Sequence, residues 1–226
     1  MKHISLVICF LAVSVSGVRA DLRYTLHTEV RSTSIELKAV LPHTETVMLL
    51  KGDAIRIEQS RGAIRSVLLI RPDGQFVLNP EARTYRRIPD VQSALTASAT
   101  TAATFRRTGA FMTILGLRAE RVEVTMSLPL PITPPPGVPT VLPMAGELWV
   151  TDAHRSYARS ITRALGQSGA VTSELEGIVL HLAVRNVQLG IEMEHVVTEL
   201  VEAPLAAEMF EVPDGFRAII DPAGRR

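Results

Sequence analysis

Side chains of two kinds alternate along residues 22–30, near the start of the chain. One parity carries Leu22, Tyr24, Leu26, Thr28 and Val30, and the other carries Arg23, Thr25, His27 and Glu29. Because successive side chains of a β-strand point to opposite faces, this period of two predicts a half-buried strand. The same reasoning predicts a strand over residues 35–41, which ends before Pro42.

Tight-turn sequences separate the next apolar segments. The turns are Lys51-Gly52-Asp53, Ser60-Arg61-Gly62, Pro72-Asp73-Gly74 and Asn79-Pro80-Glu81, between strands predicted over residues 46–50, 54–58, 66–71, 75–78 and 83–88. Turns at such short, regular spacing are typical of an antiparallel meander. Further β segments are predicted over residues 110–115, 118–128, 147–151, 177–185 and 191–201.

Two segments have helical spacing instead. Residues 90–107 follow Pro89 and begin at Asp90, but their alanine, serine and threonine content leaves a flexible linker as the alternative. A clearer helix begins after Asp152, with Tyr157, Ile161, Ala164 and Leu165 on one stripe and Gly166 as its end. A short helical turn is expected over residues 204–209, and residues 210–216 close the fold ahead of a polar tail.

The proline-rich segment that starts at Pro129 contains Pro131, Pro134, Pro135, Pro136 and Pro139. Proline lacks the N–H that a sheet interior needs, so we expect an extended surface loop with polyproline character. A stiff connector and a peptide-docking segment are both compatible with this composition.

The first twenty residues have the pattern of an export signal. Lys2 is followed by an apolar run over residues 4–13, and Val18-Arg19-Ala20 places small residues at the cleavage site. We predict cleavage after Ala20 and periplasmic or secreted location, because a membrane anchor needs a longer apolar run of about 20 residues. Cys9, the single cysteine, lies inside the apolar run behind Ile8, which argues against lipidation and leaves the exported part without a disulfide.

Composition narrows the possible functions of the exported part. We predict one domain over residues 21–220 and a flexible tail over 221–226. Without Lys2 and Arg19, the 24 Lys and Arg become 22 against 23 Asp and Glu, so charge offers no case for binding nucleic acid. No other segment approaches a membrane span, so we expect no integral membrane span after cleavage.

The order of these elements resembles that of a known family. Four segments carry the resemblance. They are the early hairpins from Leu22 to Ile88, the strand Ile114-Leu115-Gly116-Leu117-Arg118-Ala119-Glu120-Arg121-Val122, the strand-to-helix step Gly146-Glu147-Leu148-Trp149-Val150-Thr151-Asp152, and the closing Phe210-Glu211-Val212-Pro213-Asp214-Gly215-Phe216. In this order they are similar to the LolA/LolB-like superfamily, and most similar to a secreted branch of it. The resemblance implies an α+β, mainly antiparallel fold: a curved half-barrel sheet covering a few helices, with an apolar cavity that holds acyl chains in the carriers.

Residue patterns for catalysis or metal binding are missing from the sequence. His27, His43, His154, His181 and His195 follow no metal-ligand spacing, and there is no Gly-x-Ser-x-Gly sequence. We therefore predict no catalytic residues, no metal and no cofactor, and a protein that is not an enzyme. A hydrolase would need His154 or His181 beside a carboxylate. The arginines Arg83, Arg86, Arg87, Arg106 and Arg107 could form a basic cluster for anionic headgroups or a partner, or a solvated face.

Apolar strand positions supply the remaining candidate site. The predicted lining of a hydrophobic ligand cavity is Ile55, Ile57, Leu68, Ile70, Phe76, Leu78, Val122, Val124 and Trp149. If that cavity is open, it accepts a lipid or a lipoprotein acyl chain, and if it is filled the same residues are an ordinary core. The alternative function is an envelope sensor or interaction module that binds a protein partner through a sheet edge or the proline-rich loop 129–143.

Overall fold

The structure is a computed structural model that describes residues 20–32, 43–88, 103–129, 141–165 and 175–219. Several sequence predictions lie outside these ranges. They are residues 1–19 of the leader, the strand over 35–41, the first part of the helix over 90–107, most of the proline-rich loop, the helix end at Gly166 and the tail over 221–226.

Twelve strands make up most of the described chain, and turn geometry sets where many of them end. Gly52 and Gly62 have φ of 56° and 58°, a left-handed conformation that glycine adopts without a steric penalty. The strands are β1 Leu22–Ser32, β2 His43–Lys51, β3 Ala54–Arg61, β4 Ile64–Arg71, β5 Gly74–Asn79, β6 Thr84–Ile88, β7 Ala103–Ile114, β8 Leu117–Pro129, β9 Val141–Thr151, β10 Ile178–Asn186, β11 Ile191–Glu202 and β12 Arg217–Ala218.

All twelve strands belong to one open sheet in the order β12-β6-β5-β4-β3-β2-β1-β11-β10-β9-β8-β7. Neighbours are antiparallel, except that the short β12 runs parallel to β6. The pairing of β1 with β11 joins the two ends of the chain along eleven residue pairs, with a bulge between Thr25 and Leu26. The predicted antiparallel meander is therefore confirmed for β2 to β6, and β1 and β11 join it to a second meander, β7 to β11.

Strand boundaries correct three expectations from the sequence. Residues 103–107 are the start of β7 and not the end of a helix, because their backbone pairs with β8, where Arg106 lies opposite Glu123 and Arg107 opposite Val122. Strand β9 begins at Val141, six residues earlier than predicted, so Pro143 lies within a strand. The polar tail contributes β12, which places Arg217 beside Thr84.

One α-helix is present among the described residues, α1 at Arg155–Leu165. The helix packs against β2, β3 and β10. Tyr157 and Ile161, two residues of the predicted stripe, are buried on the sheet. We call this core the helix-side cluster; its buried members are Leu22, Tyr24, Leu26, Met48, Leu50, Ile55, Ile57, Ile70, Ala119, Tyr157, Ile161, Ile178, Leu180 and Val197.

The C-terminal segment covers the other face of β4–β6. Val67, Leu69 and Leu78 are buried there, with Phe76, Tyr85, Val212 and Phe216 packed against them. We call this the C-terminal cluster. Phe210, in the short 3-10 helix Ala207–Phe210, is also buried. The expectation that residues 210–216 close the fold is therefore confirmed.

The mainly antiparallel β class predicted from the sequence is confirmed by this sheet. The sheet is open and uncurled, which corrects the expected curved half-barrel. Within the described ranges, the few helices that it was expected to cover are reduced to α1 and the 3-10 helix Ala207–Phe210. The helices of the described residues are also too short or too polar to cross a membrane.

Candidate functional site

The nine predicted lining residues do not share one site. Ile55, Ile57 and Ile70 belong to the helix-side cluster, and Leu68 and Trp149 pack against it. Leu78 lies in the C-terminal cluster with Phe76 beside it, and Val122 and Val124 lie in a third cluster. Most of these side chains are close to fully buried, so they are core residues in the structure, and their role in ligand binding stays a prediction.

Strand β4 explains why Phe76 and Leu78 separate from the others. Leu69 pairs with Phe76, and Val67 pairs with Leu78, whereas Leu68 and Ile70 point to the opposite face. The segment Val67-Leu68-Leu69-Ile70 is apolar on both faces, so the sequence pattern alone cannot say which of its side chains face the helix.

The third cluster extends over β8 to β11 and contains three methionines. It is called the methionine cluster here; its buried members are Val122, Val124, Met126, Met144, Leu148, Val150, Leu175, Leu182 and Val184, with Ala103, Phe105, Val179, Ile191 and Met193 packed against them. Val122 pairs with Leu148 and Leu148 with Leu182, so the cluster runs in register across the strands. Methionine is flexible and polarizable, so a surface rich in it adapts to ligands of different shape.

Gly146 lets β9 and β10 approach closely beneath this cluster. A Cβ at this position would lie 1.9 Å from the carbonyl oxygen of Ala183 and 2.7 Å from the Cα of Val184. Both contacts are with backbone atoms, which cannot move aside as a side chain can. Gly146 is therefore required for the pairing that carries the methionine cluster.

His195 lies on the same face of β11 as this cluster. It pairs with Leu182 of β10 and with Thr28 of β1. Burial, and to a lesser extent the nearby His181, lower the pKa of His195 to about 4. The imidazole is therefore neutral near pH 7, which suits a position among apolar side chains.

The opposite face of β1 and β8–β11 is charged. In one cross-strand row Glu29 pairs with Glu194, Glu194 with Ala183, and Ala183 with Glu147. A cavity of about 550 Å³ opens on this face, lined by Glu29, Arg31, Arg121, Glu123, Val124, Thr125, Ala145, Gly146, Glu147, Ala183, Val184, Arg185, Glu192, Met193 and Glu194. The short side chains of Ala145 and Ala183 make the hollow, and longer charged side chains surround it.

Arginine and glutamate side chains that line this cavity form ion pairs, which partly compensate its charges. Arg31 Nη2 lies 2.6 Å from Glu29 Oε2 and 3.7 Å from Glu194 Oε2, and Arg121 Nη2 lies 2.7 Å from Glu147 Oε2. The hydrogen bond from Arg31 holds the pKa of the Glu29 carboxyl below its usual range. Val124 is the one predicted site residue along this cavity, although its buried side chain belongs to the methionine cluster on the other face. The only sign of this cavity in the sequence is the polar side chain at every second position of its strands. An ordinary solvent-exposed face has the same pattern.

Two histidines lie beside carboxylates. His154 Nδ1 is 2.8 Å from Glu202 Oε1, and His181 Nε2 is 3.1 Å from Glu194 Oε1. The carboxylate that a hydrolase would need is therefore present in each case, and the hydrogen bonds described for these two imidazoles run to those carboxylates. Within the same ranges there is no group of three side chains arranged to hold a metal ion.

The predicted basic cluster is not formed. Arg83, Arg86 and Arg87 belong to β6 or the turn before it, whereas Arg106 and Arg107 lie on β7 at the other end of the sheet. Arg106 and Arg107 pair with Glu123 and Glu120 across the β7–β8 hairpin. The sequence suggests one cluster of arginines because it does not reveal the strand order, which places β6 and β7 far apart in the sheet.

Comparison with known proteins finds distantly similar structures but does not assign the chain to a family. No family model matches the chain, and no curated protein matches it. Among solved structures, the Mycobacterium tuberculosis lipoprotein LppX matches with a TM-score of 0.38 and 10% identity, covering 80% of this chain and 88% of that one. A structure of MucB matches with a TM-score of 0.40 and 13% identity, over 86% of this chain and 57% of that one.

A structure of PNGF-II has a TM-score of 0.41 and 10% identity, covering 87% of this chain and 30% of that one. At these TM-scores and identities the likenesses carry no argument about what this chain binds or does. Membership of the LolA/LolB-like superfamily stays a prediction from the order of sequence elements.

Proposed function

We propose that this chain is an exported, non-enzymatic protein that binds a hydrophobic ligand, a lipid or an acyl chain, at the methionine cluster. The observation that carries the proposal is the buried apolar cluster that runs in register over β8–β11, with the charged face directly behind it. In this proposal residues 21–220 are one domain that acts in the periplasm or outside the cell after loss of the leader.

Physical chemistry favours an acyl chain over a polar ligand at this surface. Each methylene buried against apolar side chains contributes about 0.8 kcal/mol, so a chain of ordinary length gains several kcal/mol. Met126, Met144 and Met193 re-pack around chains of different length, because thioether side chains have three rotatable bonds.

Native mass spectrometry and lipid extraction of the chain purified after export test the proposal. We expect bound acyl species, and saturable binding of a fluorescent fatty-acid probe. Met193→Gln places an amide at the partly buried edge of the methionine cluster and should weaken probe binding several-fold. Met209→Gln, at an exposed methionine in the 3-10 helix, is the matched control and should bind as the wild type does.

Two results would contradict the proposal. One is a homogeneous unliganded mass together with no detectable probe binding by the wild type. The other is an equal loss of probe affinity in Met193→Gln and Met209→Gln, because binding would then not depend on the methionine cluster.

A second candidate function is protein binding through strand addition at β7. This strand ends the sheet order, and most of its twelve residues are exposed, so within the described part of the chain one edge of its backbone has no strand neighbour. Thr104→Lys at this edge should abolish site-specific crosslinking of β7 to a partner in the exporting cell, with acyl-probe binding retained. Crosslinking that persists in Thr104→Lys would argue against this candidate. Most of the proline-rich loop 129–143 lies outside the described residues.

A further inference from the structure

The hairpin of β7 and β8 ends in a tip with large apolar side chains facing solvent. Phe111 is 49% exposed, Met112 is 44% exposed and Leu115 is 46% exposed. Next to them, Ile114 and Leu117 pair across the end of the hairpin and pack against the helix-side cluster. The exposed tip is therefore held at its base by the protein core.

The turn at this tip contains an unfavourable residue. Leu115 and Gly116 are the two central residues between the paired Ile114 and Leu117, and their φ angles are 52° and 76°. Two-residue turns with positive φ at both positions favour asparagine, aspartate or glycine at the first position. A leucine there is disfavoured by its backbone conformation and by its exposure to water, and such outliers point to functional sites.

A cation accompanies the apolar side chains. The Arg118 guanidinium lies 3.7 Å from the centre of the Phe111 ring. Arg106 and Arg107, farther from the tip, pair with Glu123 and Glu120, whereas the described residues include no carboxylate paired with Arg118. The tip is therefore apolar with a net positive charge beside it.

We propose that this hairpin tip inserts into the surface of a membrane that contains anionic lipids. An aromatic ring, two aliphatic side chains and an adjacent arginine suit the lipid–water interface, where apolar parts enter the lipid and the cation meets a headgroup phosphate. A protein partner fits less well, because three side chains are far from the roughly 800 Å² per partner of a stable protein interface. The proposal goes beyond ligand binding at the methionine cluster and does not depend on it.

Flotation with lipid vesicles tests this proposal on the full chain purified after export, with the same amino terminus in every variant. The vesicles are phosphatidylcholine alone, or phosphatidylcholine in which about a third of the lipid is phosphatidylglycerol. We expect the wild type to bind the anionic vesicles more strongly than the neutral ones. Leu115→Asn should reduce binding roughly tenfold and raise the melting temperature, because asparagine suits the turn.

A double variant and a matched control complete the design. Phe111→Ser combined with Met112→Ser leaves the turn unchanged and should also lose vesicle binding. Ile64→Asn changes another exposed apolar side chain, at the start of β4, and should float as the wild type does. Wild-type binding retained by both tip variants overturns the proposal, as does a wild type that binds neither vesicle. Tip-dependent capture of a protein without vesicle binding would make the tip a protein-docking surface instead.

Discussion

Replacing His195 by glutamine tests whether the folded sheet keeps an uncharged imidazole on its apolar face. Burial lowers the pKa of His195 to about 4 in the folded chain, against 6.5 for a free histidine. The unfolded chain therefore binds more protons between these two values. Since protonation favours the state with the higher pKa, the free energy of unfolding decreases as pH falls through this window, and His195 has its full stabilising effect above it.

The size of the effect follows from the shift. The pKa of His195 is lowered by about 2.5 pH units, and each unit corresponds to 1.36 kcal/mol. The free energy of unfolding should therefore fall by about 3 kcal/mol when the pH reaches 4. The carboxyl groups of Glu29 and Asp73, whose pKa values arginine hydrogen bonds lower, lose their stabilising effect at still lower pH. Measurements between about pH 7 and pH 4.5 therefore lie above most of the range in which these carboxyl groups bind protons, and the comparison with the variant assigns the His195 share.

Urea unfolding followed by the fluorescence of Trp149, the single tryptophan, measures this dependence. We expect the wild type to lose about 2 to 3 kcal/mol over the window, and His195→Gln to lose correspondingly less. His43→Gln, which removes an exposed imidazole on β2, should retain the wild-type dependence. Equal pH dependence in the wild type and His195→Gln would refute the reasoning.

Three further substitutions test the packing of the sheet. Gly146→Ala should lower the free energy of unfolding by about 3 kcal/mol, because its Cβ meets the Ala183 carbonyl oxygen, and a thermal melt as in the wild type would contradict this. Tyr24→Phe removes a buried hydroxyl that donates a hydrogen bond across β11 and should cost about 1 kcal/mol in urea unfolding, whereas unchanged stability would mean that the bond contributes nothing. Asp21→Asn weakens the contact with Lys51, whose Nζ lies 2.7 Å from the Asp21 carboxylate, and should lower the free energy of unfolding by about 1 kcal/mol. The same carboxylate accepts a hydrogen bond from the N–H of Leu205, so amide exchange near residue 205 should become faster. Unchanged exchange there would argue against this hydrogen bond.

Local pattern predicted those elements whose two faces differ in polarity. Strand β1 was predicted from alternation, and Leu22, Tyr24 and Leu26 are buried on one face as expected. Residues 103–107 were misread as helical because alanine and threonine carry little information about period. Pairing with β8, including the contact of Arg106 with Glu123, places them in a strand. Tertiary pairing thus overrides a weak local preference.

Both candidate surfaces depend on pairings between strands far apart in sequence. Val122 and Leu182 were each predicted in a strand, but only the intervening β9 brings them into one cluster. The charged cavity likewise needs β1 beside β11, which joins Glu29 to Glu194 across more than half of the chain. No short window of sequence contains such a contact.

The sequence by itself determined the mainly antiparallel class, the turns between β2 and β6, the helix after Asp152 and the closing segment 210–216, because each depends on nearest neighbours along the chain. The tertiary structure alone decided the strand order, the division of the nine predicted lining residues among three clusters, and the exposure of Leu115 at a hairpin tip. Within one strand, neighbouring side chains point to opposite faces of the sheet, and the local sequence determines this. Which of the two faces is buried depends on the other elements that pack against the strand.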